Sequence, residues 1–271
     1  MNNDFTISVI VSTYNRPDAL KAVLTSLLSQ EDDNYEIVIA DDGSSVATKS
    51  LIEDFSRRFP NFMRHVWQPN EGFRAAKIRN KAIQRAQGDY LLILDGDCIP
   101  TQDWISENRK LAEQGWVVQG QRILLSELFT KELLQSRDLT SFRPTLREAQ
   151  CFCKEKKINR WSPLLRIPLG SVRKIAYKKW KRIRSCNLGV WRKDILRIHG
   201  FDESFIGWGH EDADLAVRLI NAGIRIKLGT FSSTVFHLWH SPASRISASK
   251  NWATVLQRVS SGEIFPTQGI Q

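Results

Sequence analysis

The chain has 271 residues, 42% of them hydrophobic and 25% charged, a globular composition that excludes disordered and fibrous classes. Four cysteines are too few for a disulfide scaffold, no apolar run reaches the ~20 residues of a membrane-spanning helix, and the polar, acidic residues 1–6 do not start like a secretory signal. The expectation is a soluble protein of a reducing compartment, the cytoplasm.

The run ISVIVS at 7–12 predicts a buried strand. Pro17 opens a helix, with Leu20, Val23, Leu24, Leu27 and Leu28 forming an apolar stripe at i, i+3, i+4, i+7 and i+8. EIVIA at 36–40 is a second strand, Leu51, Ile52, Phe55 and Phe59 mark a second helix, and 62–67 is a weaker strand. Ala75, Ile78, Ala82, Ile83 and Ala86 give a third helix stopped near Gly88, and YLLIL at 90–94 is the fourth strand. After about residue 120 the pattern loosens. Residues 121–150 read as partly helical, 210–222 as a helix closed by Gly223, 224–228 and 234–237 as short strands, and the tail beyond Ser260 as frayed.

Strands alternating with helices imply an α/β fold with a mostly parallel sheet, whose ligand crevice lies beyond the carboxyl ends of the strands. Four polar clusters fall at those ends: Ser12-Thr13-Tyr14-Asn15, Asp41-Asp42-Gly43-Ser44, Asn70-Glu71-Gly72 and Asp95-Gly96-Asp97. They are expected to converge on one site.

Asp95 and Asp97 flank Gly96 where a buried strand leaves the core. Such a pair suits a divalent cation that bridges phosphates, or simply ends the strand in a turn. His237 and His240, three apart, can meet one ion if the backbone turns between them; imidazole with carboxylate suits Mn²⁺ or another borderline ion. Two unrelated surface or core histidines are the plainer alternative. Trp208 stands between Gly207 and Gly209, a large aromatic on a hinge fit to close over a ring-shaped ligand. Glu211 and Asp212 follow at a helix start, where the helix dipole favours their ionised form. Either is a candidate carboxylate base, or a plain capping acid. Cys151, Cys153 and Cys186 lack a fourth ligand for zinc.

Residues 7–16 (ISVIVSTYNR), 37–44 (IVIADDGS), 70–80 (NEGFRAAKIRN) and 88–100 (GDYLLILDGDCIP) resemble the family-2 glycosyltransferases of GT-A fold. Residues 201–219 (FDESFIGWGHEDADLAVRL) resemble the C-terminal motif of β-1,4-galactosyltransferases and bacterial chondroitin-type polymerases. The likeness covers about residues 5–110 and 185–241, with five motifs in the family's order, and leaves out 121–184. It implies one continuous GT-A domain, with a nucleotide-sugar-binding half over 1–120 and an acceptor-binding half over 121–271. It also implies that Ser12, Tyr14 and Asp42 hold the uracil and ribose of a UDP-sugar, with Arg16 in the same motif and Arg79 near the nucleotide or diphosphate. Asp97 would bind Mn²⁺, Mg²⁺ being the alternative, and Asp95 would contact ribose or metal. His237 and His240 would complete the metal site, His237 standing where the galactosyltransferases carry a Met. Trp208 would close over the donor, Glu211 hold the acceptor sugar and Asp212 act as base. The implied reaction moves a hexose or N-acetylhexosamine to a hydroxyl of a glycan or lipid-linked acceptor, by a single displacement with inversion. Bacterial surface polysaccharide synthesis, of lipopolysaccharide or capsule, is the implied setting.

The net charge of +10 is local: twelve Lys and Arg face one Glu between Lys154 and Arg184, and the remainder balances at −1. Among those charges Ile175, Ala176, Trp180 and Ile183 fall at i, i+1, i+5 and i+8, a rough apolar stripe on a basic helix. That combination suits peripheral attachment at the anionic cytoplasmic face of the inner membrane. A solvated basic face, or a site for an acidic glycan or the acceptor's diphosphate, are the other readings. KKWKRIR at 178–184 would also suit single-stranded nucleic acid, but that leaves the crevice motifs without a purpose, so no nucleic-acid partner is expected. A catalytically inactive scaffold of the same fold would have no need of every paired acid and histidine.

Overall fold

The computed structural model describes residues 5–59, 62–136, 142–175 and 177–271. Its first half is the alternation that the apolar runs dictate: β1 (Ile7–Thr13), α1 (Pro17–Leu27), β2 (Tyr35–Asp41), α2 (Val46–Arg58), β3 (Met63–Trp67), α3 (Ala75–Arg85) and β4 (Tyr90–Asp95). β1, β2 and β4 are covered on both faces, which is why they read as continuous apolar runs. Val9 and Val11 of β1 pack with Leu20, Leu24 and Leu27 of α1 on one face. Ile10, pointing the other way by the strand's period of two, packs in a second core with Ile78 and Ala82 of α3.

Then follow β5 (Cys98–Pro100), α4 (Trp104–Leu111), β6 (Trp116–Gln119), β7 (Gln121–Leu124), α5 (Glu127–Gln135), α6 (Leu146–Lys154), β8 (Asn187–Trp191), α7 (Arg192–Arg197), α8 (Glu211–Asn221), β9 (Arg225–Leu228), β10 (Thr234–His237) and α9 (Ala248–Ser261). The main sheet has the order β3-β2-β1-β4-β8-β6-β9. β1 runs parallel to β2 and β4, β2 to β3, and β6 to β9, while β8 is antiparallel to β4 and β6. The second half of the chain therefore extends the sheet of the first. A small sheet, β5-β10-β7, pairs Cys98 with His237 and so brings β10 to the end of β4.

Two expectations fail. The basic segment is no amphipathic helix: Pro163 and Pro168 break its first part, and short 3₁₀ turns at Ser162–Leu164, Gly170–Lys174 and Trp180–Arg182 carry it, the last two flanking the expected stripe. Its apolar stripe is divided. Ile183 is buried in the core with Trp180 packed against it, Ile175 is exposed, and Ala176 lies outside the described residues. The tail is not frayed either. The amide of Thr267 donates to the Asp202 carboxylate, that of Glu203 to the Gln268 carbonyl and that of Ile270 to the His199 carbonyl. The partly helical reading of 121–150 resolves into α5 and the start of α6, with residues 137–141 outside the described ones. Among the described residues no helix is long and apolar enough to cross a membrane.

Candidate active site

The polar clusters do converge. Ser12, Tyr14 and Arg16 from the end of β1, Asp42 after β2, Arg79 on α3, Asp95 and Asp97 around the end of β4, Trp208, Glu211 and Asp212 at the start of α8, and His237 and His240 at the end of β10 line one cavity of about 660 Å³. The backbone at Gly96 makes this possible, because its N–H donates to the Ser12 carbonyl at 2.7 Å and a Cβ there would stand 2.9 Å from that same oxygen.

Asp97, His237 and His240 present ligand atoms that all lie within 4.8 Å of one another. His237 Nε2 is 3.8 Å from Asp97 Oδ1, and His240 Nε2 is 3.7 Å from Asp97 Oδ2. Ligands about 2.1 Å from an ion stand roughly 3–3.5 Å apart, so small side-chain rotations close the three on one cation. Burial holds His237 below the usual imidazole range despite the pull of Asp97, which favours the neutral, ligating form. Burial pushes the Asp97 carboxyl up, and a cation at its oxygens is what would restore the carboxylate. The donor set fits a first-row divalent ion.

Arg79 is buried and bridges two acids, with Nη2 2.9 Å from Asp95 Oδ1 and Nη1 3.1 Å from Glu211 Oε1. The Ser12 hydroxyl donates to the same Asp95 oxygen at 3.0 Å. Arg79 thus reaches the cavity wall chiefly as the clamp that orients Asp95 and Glu211. Asp42 accepts from Gln68 Nε2 at 2.6 Å and from the Arg74 amide at 2.8 Å, while Tyr14, half exposed, accepts at its hydroxyl from Asn70 Nδ2. Arg16 Nη1 stands 3.7 Å from Asp97 Oδ2, placing a positive charge beside the candidate cation site.

Trp208 is 39% exposed, with the Arg245 guanidinium 5.4 Å from its ring. Gly207, Gly209 and His210 all have positive φ (78°, 114° and 73°), so three of the four residues 207–210 are left-handed and the indole rides on a sharply folded strap. Immediately after it, Asp212 lies in the wall with its pKa raised to about 7, first by burial and then by the charge of Glu211. Glu211 is held by Arg79; among the described residues Asp212 accepts only from the Ala213 amide.

The same cavity gathers residues to which no role was assigned from sequence: Arg122, Trp180, Lys181, Arg184, His210 and Trp252. Trp252 stacks 4.8 Å from His210 and 5.5 Å from Trp180, an aromatic wall built from three distant segments. The only signal was the Trp inside KKWKRIR, which reads as a surface feature. Asn187, by contrast, serves the fold: it accepts from Trp104 Nε1 and donates to the Gln121 and Ser233 carbonyls.

Residues 8–162 match the model of glycosyl transferase family 2, and residues 171–241 that of the N-terminal domain of galactosyltransferase. The uncharacterized glycosyltransferase YfnE of Bacillus subtilis is 30% identical over 251 residues, covering 82% of this chain and 62% of its own. The hyaluronan synthase of Pasteurella multocida is 25% identical over 80% of this chain and 23% of its own length, and the chondroitin synthase of Escherichia coli 27% over 80% and 32%. The chain spans less than two thirds of the length of each of these relatives. Among solved structures, S. aureus TarS 1–349 in complex with UDP aligns at a TM-score of 0.64 and 16% identity, over 95% of this chain and 65% of that one. A mannosyltransferase from Pyrobaculum calidifontis in complex with GDP-Man and Mn²⁺ aligns at 0.59 and 16%, over 95% and 74%. At such identity the likeness is one of fold, the GT-A arrangement.

Proposed function

The chain belongs to glycosyl transferase family 2, and on that premise we propose that it is an inverting, metal-dependent enzyme that moves a hexose or N-acetylhexosamine from a UDP-sugar to an acceptor hydroxyl. The observation that carries the reading is one cavity holding both a three-ligand cation site and, apart from it, a carboxylate with a pKa near neutrality. A divalent cation held by Asp97, His237 and His240 would supply the positive charge that a departing diphosphate requires. Arg16, next to Asp97, adds to that charge. Tyr14 and Asp42 form the nucleotide end, with Ser12 and Asp95 toward the ribose. Trp208, swung on its folded strap, excludes water from the donor. Glu211, fixed by Arg79, accepts a hydrogen bond from the acceptor sugar, and Asp212 takes the proton from the attacking hydroxyl. With Asp212 as the base, Asp95 and Asp97 given to the ribose and the cation and Glu211 to the acceptor, the reading is a single displacement that inverts the anomeric carbon. The first half of the chain, 1–120, binds the nucleotide, and 121–271 binds the acceptor and carries the base, with His237, His240 and Trp208 reaching back to the donor.

The relatives named as hyaluronan and chondroitin synthases support an acceptor that is a growing glycan or its lipid-linked precursor, in surface polysaccharide synthesis such as that of lipopolysaccharide or capsule. Exposed Ile167, Val172, Ile175 and Tyr177, set among Lys174, Lys178 and Lys179, support peripheral contact with an anionic membrane from the cytoplasmic side.

A screen of UDP-sugars with Mn²⁺, reading UDP release, tests the donor side. Release is expected for one or a few sugars, abolished by EDTA and by Asp97→Ala or His240→Ala with the fold intact. Full turnover in excess chelator, or a product that retains the donor's anomeric configuration, would overturn the reading.

A further inference from the structure

A second cavity, of about 370 Å³, adjoins the active site. Arg122, Arg160, Lys181, Arg182 and Arg184 line it, and Arg122, Lys181 and Arg184 line the active-site cavity as well, so three of its cations border both spaces. Among the described residues no carboxylate lines this second space. Nor does any of the five cations form an ion pair among the described residues. Arg160 donates to the Arg122 carbonyl and Arg184 to the Lys181 and Ile183 carbonyls. Arg122 points Nη1 at Cys186 Sγ, 3.9 Å away, and Lys181 lies over the Trp180 ring. Neutral partners position these groups and leave their charge uncompensated.

Five like charges around one concave space repel one another and raise the local concentration of anions. Four of the five are guanidinium groups, whose forked donors match phosphate oxygens. A single carboxylate would neutralise one of the five charges, whereas a diphosphate meets several at once. The donor's own diphosphate is assigned elsewhere, since Asp97, His237, His240 and Arg16 do not line this space. Arg184 stands at the junction, close enough for its charge to act on Asp212. A group seated here therefore belongs to the molecule whose hydroxyl Asp212 deprotonates.

Resting on the glycosyl-transfer reading above, we propose that this cavity seats a phosphate or diphosphate ester of the acceptor. The acceptor class is then a phosphorylated one, a lipid-diphosphate-linked sugar or a polyol-phosphate chain, and not a neutral oligosaccharide. Arg160 and Arg182, which line only the second cavity, set that preference.

The test is calorimetric titration of inorganic pyrophosphate into EDTA-treated protein, which needs neither donor nor metal. Wild type is expected to bind, and Arg160→Gln/Arg182→Gln to bind at least about tenfold more weakly, while Arg16→Gln at the donor end changes little. Both cavity arginines are exposed, so their removal leaves no buried group unpaired, and the single variants, each with a smaller loss, stand in if the double variant does not fold. Farnesyl diphosphate and a glycerol-phosphate oligomer, titrated in parallel, separate the two sources by which binds more tightly. No pyrophosphate binding by wild type, weakening by Arg16→Gln alone, or equally tight binding of glucuronate would overturn the proposal. Mn²⁺-dependent binding of UDP, titrated separately, reports on the donor reading: its absence in wild type would sink that reading and not the cavity.

Discussion

Glu211 and Asp212 are neighbours in the chain and opposite in circumstance. The first is clamped by Arg79; the second faces the cavity with its carboxyl held near pH 7. From the residues alone the two were equivalent acids at a helix start, and only the family resemblance gave them separate roles; no periodicity links Arg79 to a partner 132 residues away. The candidates stood out because chemistry-bearing residues at strand ends are few; the buried guanidinium that distinguishes their surroundings left no mark on the sequence. Asp212→Asn, nearly isosteric, is expected to lower turnover by ~10²-fold or more with UDP affinity little changed. In the wild type, kcat/KM should fall about tenfold per pH unit below 7 as Asp212 takes up its proton. The native pKa stands above the ordinary carboxylate value of about 3.9, so the ionised group costs stability above pH 7 and that cost vanishes as pH falls. Asp212→Asn should therefore keep or raise the melting temperature, separating lost chemistry from lost fold. A pH-independent profile between 5 and 8 would remove Asp212 from the role.

At the scale of elements, α9 and the segment behind it carry more than their composition promised. Arg258 of α9 is buried, with Nη2 on Asp202 and Nε 2.7 Å from Asp214 Oδ1 though out of hydrogen-bond alignment. Asp214, on α8, also takes Arg218 Nε at 2.7 Å. These two cations and two acids fasten α9 and the tail to α8 and so to the strap that bears Trp208; α9 also holds that strap through Asn251, whose side-chain amide donates to the Gly209 carbonyl. Removing one partner of a buried pair leaves its mate uncompensated, a loss of about 3–5 kcal/mol. Arg258→Ala is accordingly expected to lower the urea-unfolding free energy by about that much; a loss below about 1 kcal/mol, the range of an exposed pair, would show that the network is solvated. The tail looked frayed because its last residues show neither period nor charge pattern; long-range hydrogen bonds anchor it, and these leave no mark on a sequence. β6, β7 and β8 escaped notice for a related reason. Each is only four or five residues long with no well-marked helix ahead of it, whereas β9 and β10, no longer, follow a helix whose end Gly223 announces.

For the molecule as a whole, the alternating first hundred residues were readable because strands buried on both faces must be apolar throughout and their helices amphipathic. The basic segment was readable as charge and not as shape. Its exposed apolar residues, Ile167, Val172, Ile175 and Tyr177, still lie among lysines, each worth roughly 1 kcal/mol near an anionic surface. Co-sedimentation with anionic vesicles, but not neutral ones, is therefore expected at low salt and should weaken on adding salt. Ile175→Ser with Lys178→Ala and Lys179→Ala, all outside both cavities, should release the protein. Wild type that stays in the supernatant with anionic vesicles would end the membrane reading.

The order of strands also sets an order in time. β1, β2, β3 and β4 find their partners within the first 95 residues, while β4 must wait for β8 a hundred residues on, and β6 for β9 across a similar gap. Closing such long loops is the slower search, and synthesis delivers the early segments first. Asp42, Asp95 and Asp97 thus stand assembled before Asp212, His237 and His240 arrive. On the reading proposed above, a half-made chain would own the crevice floor and none of the groups assigned to the reaction; the last pairings to form would be the ones that complete the site.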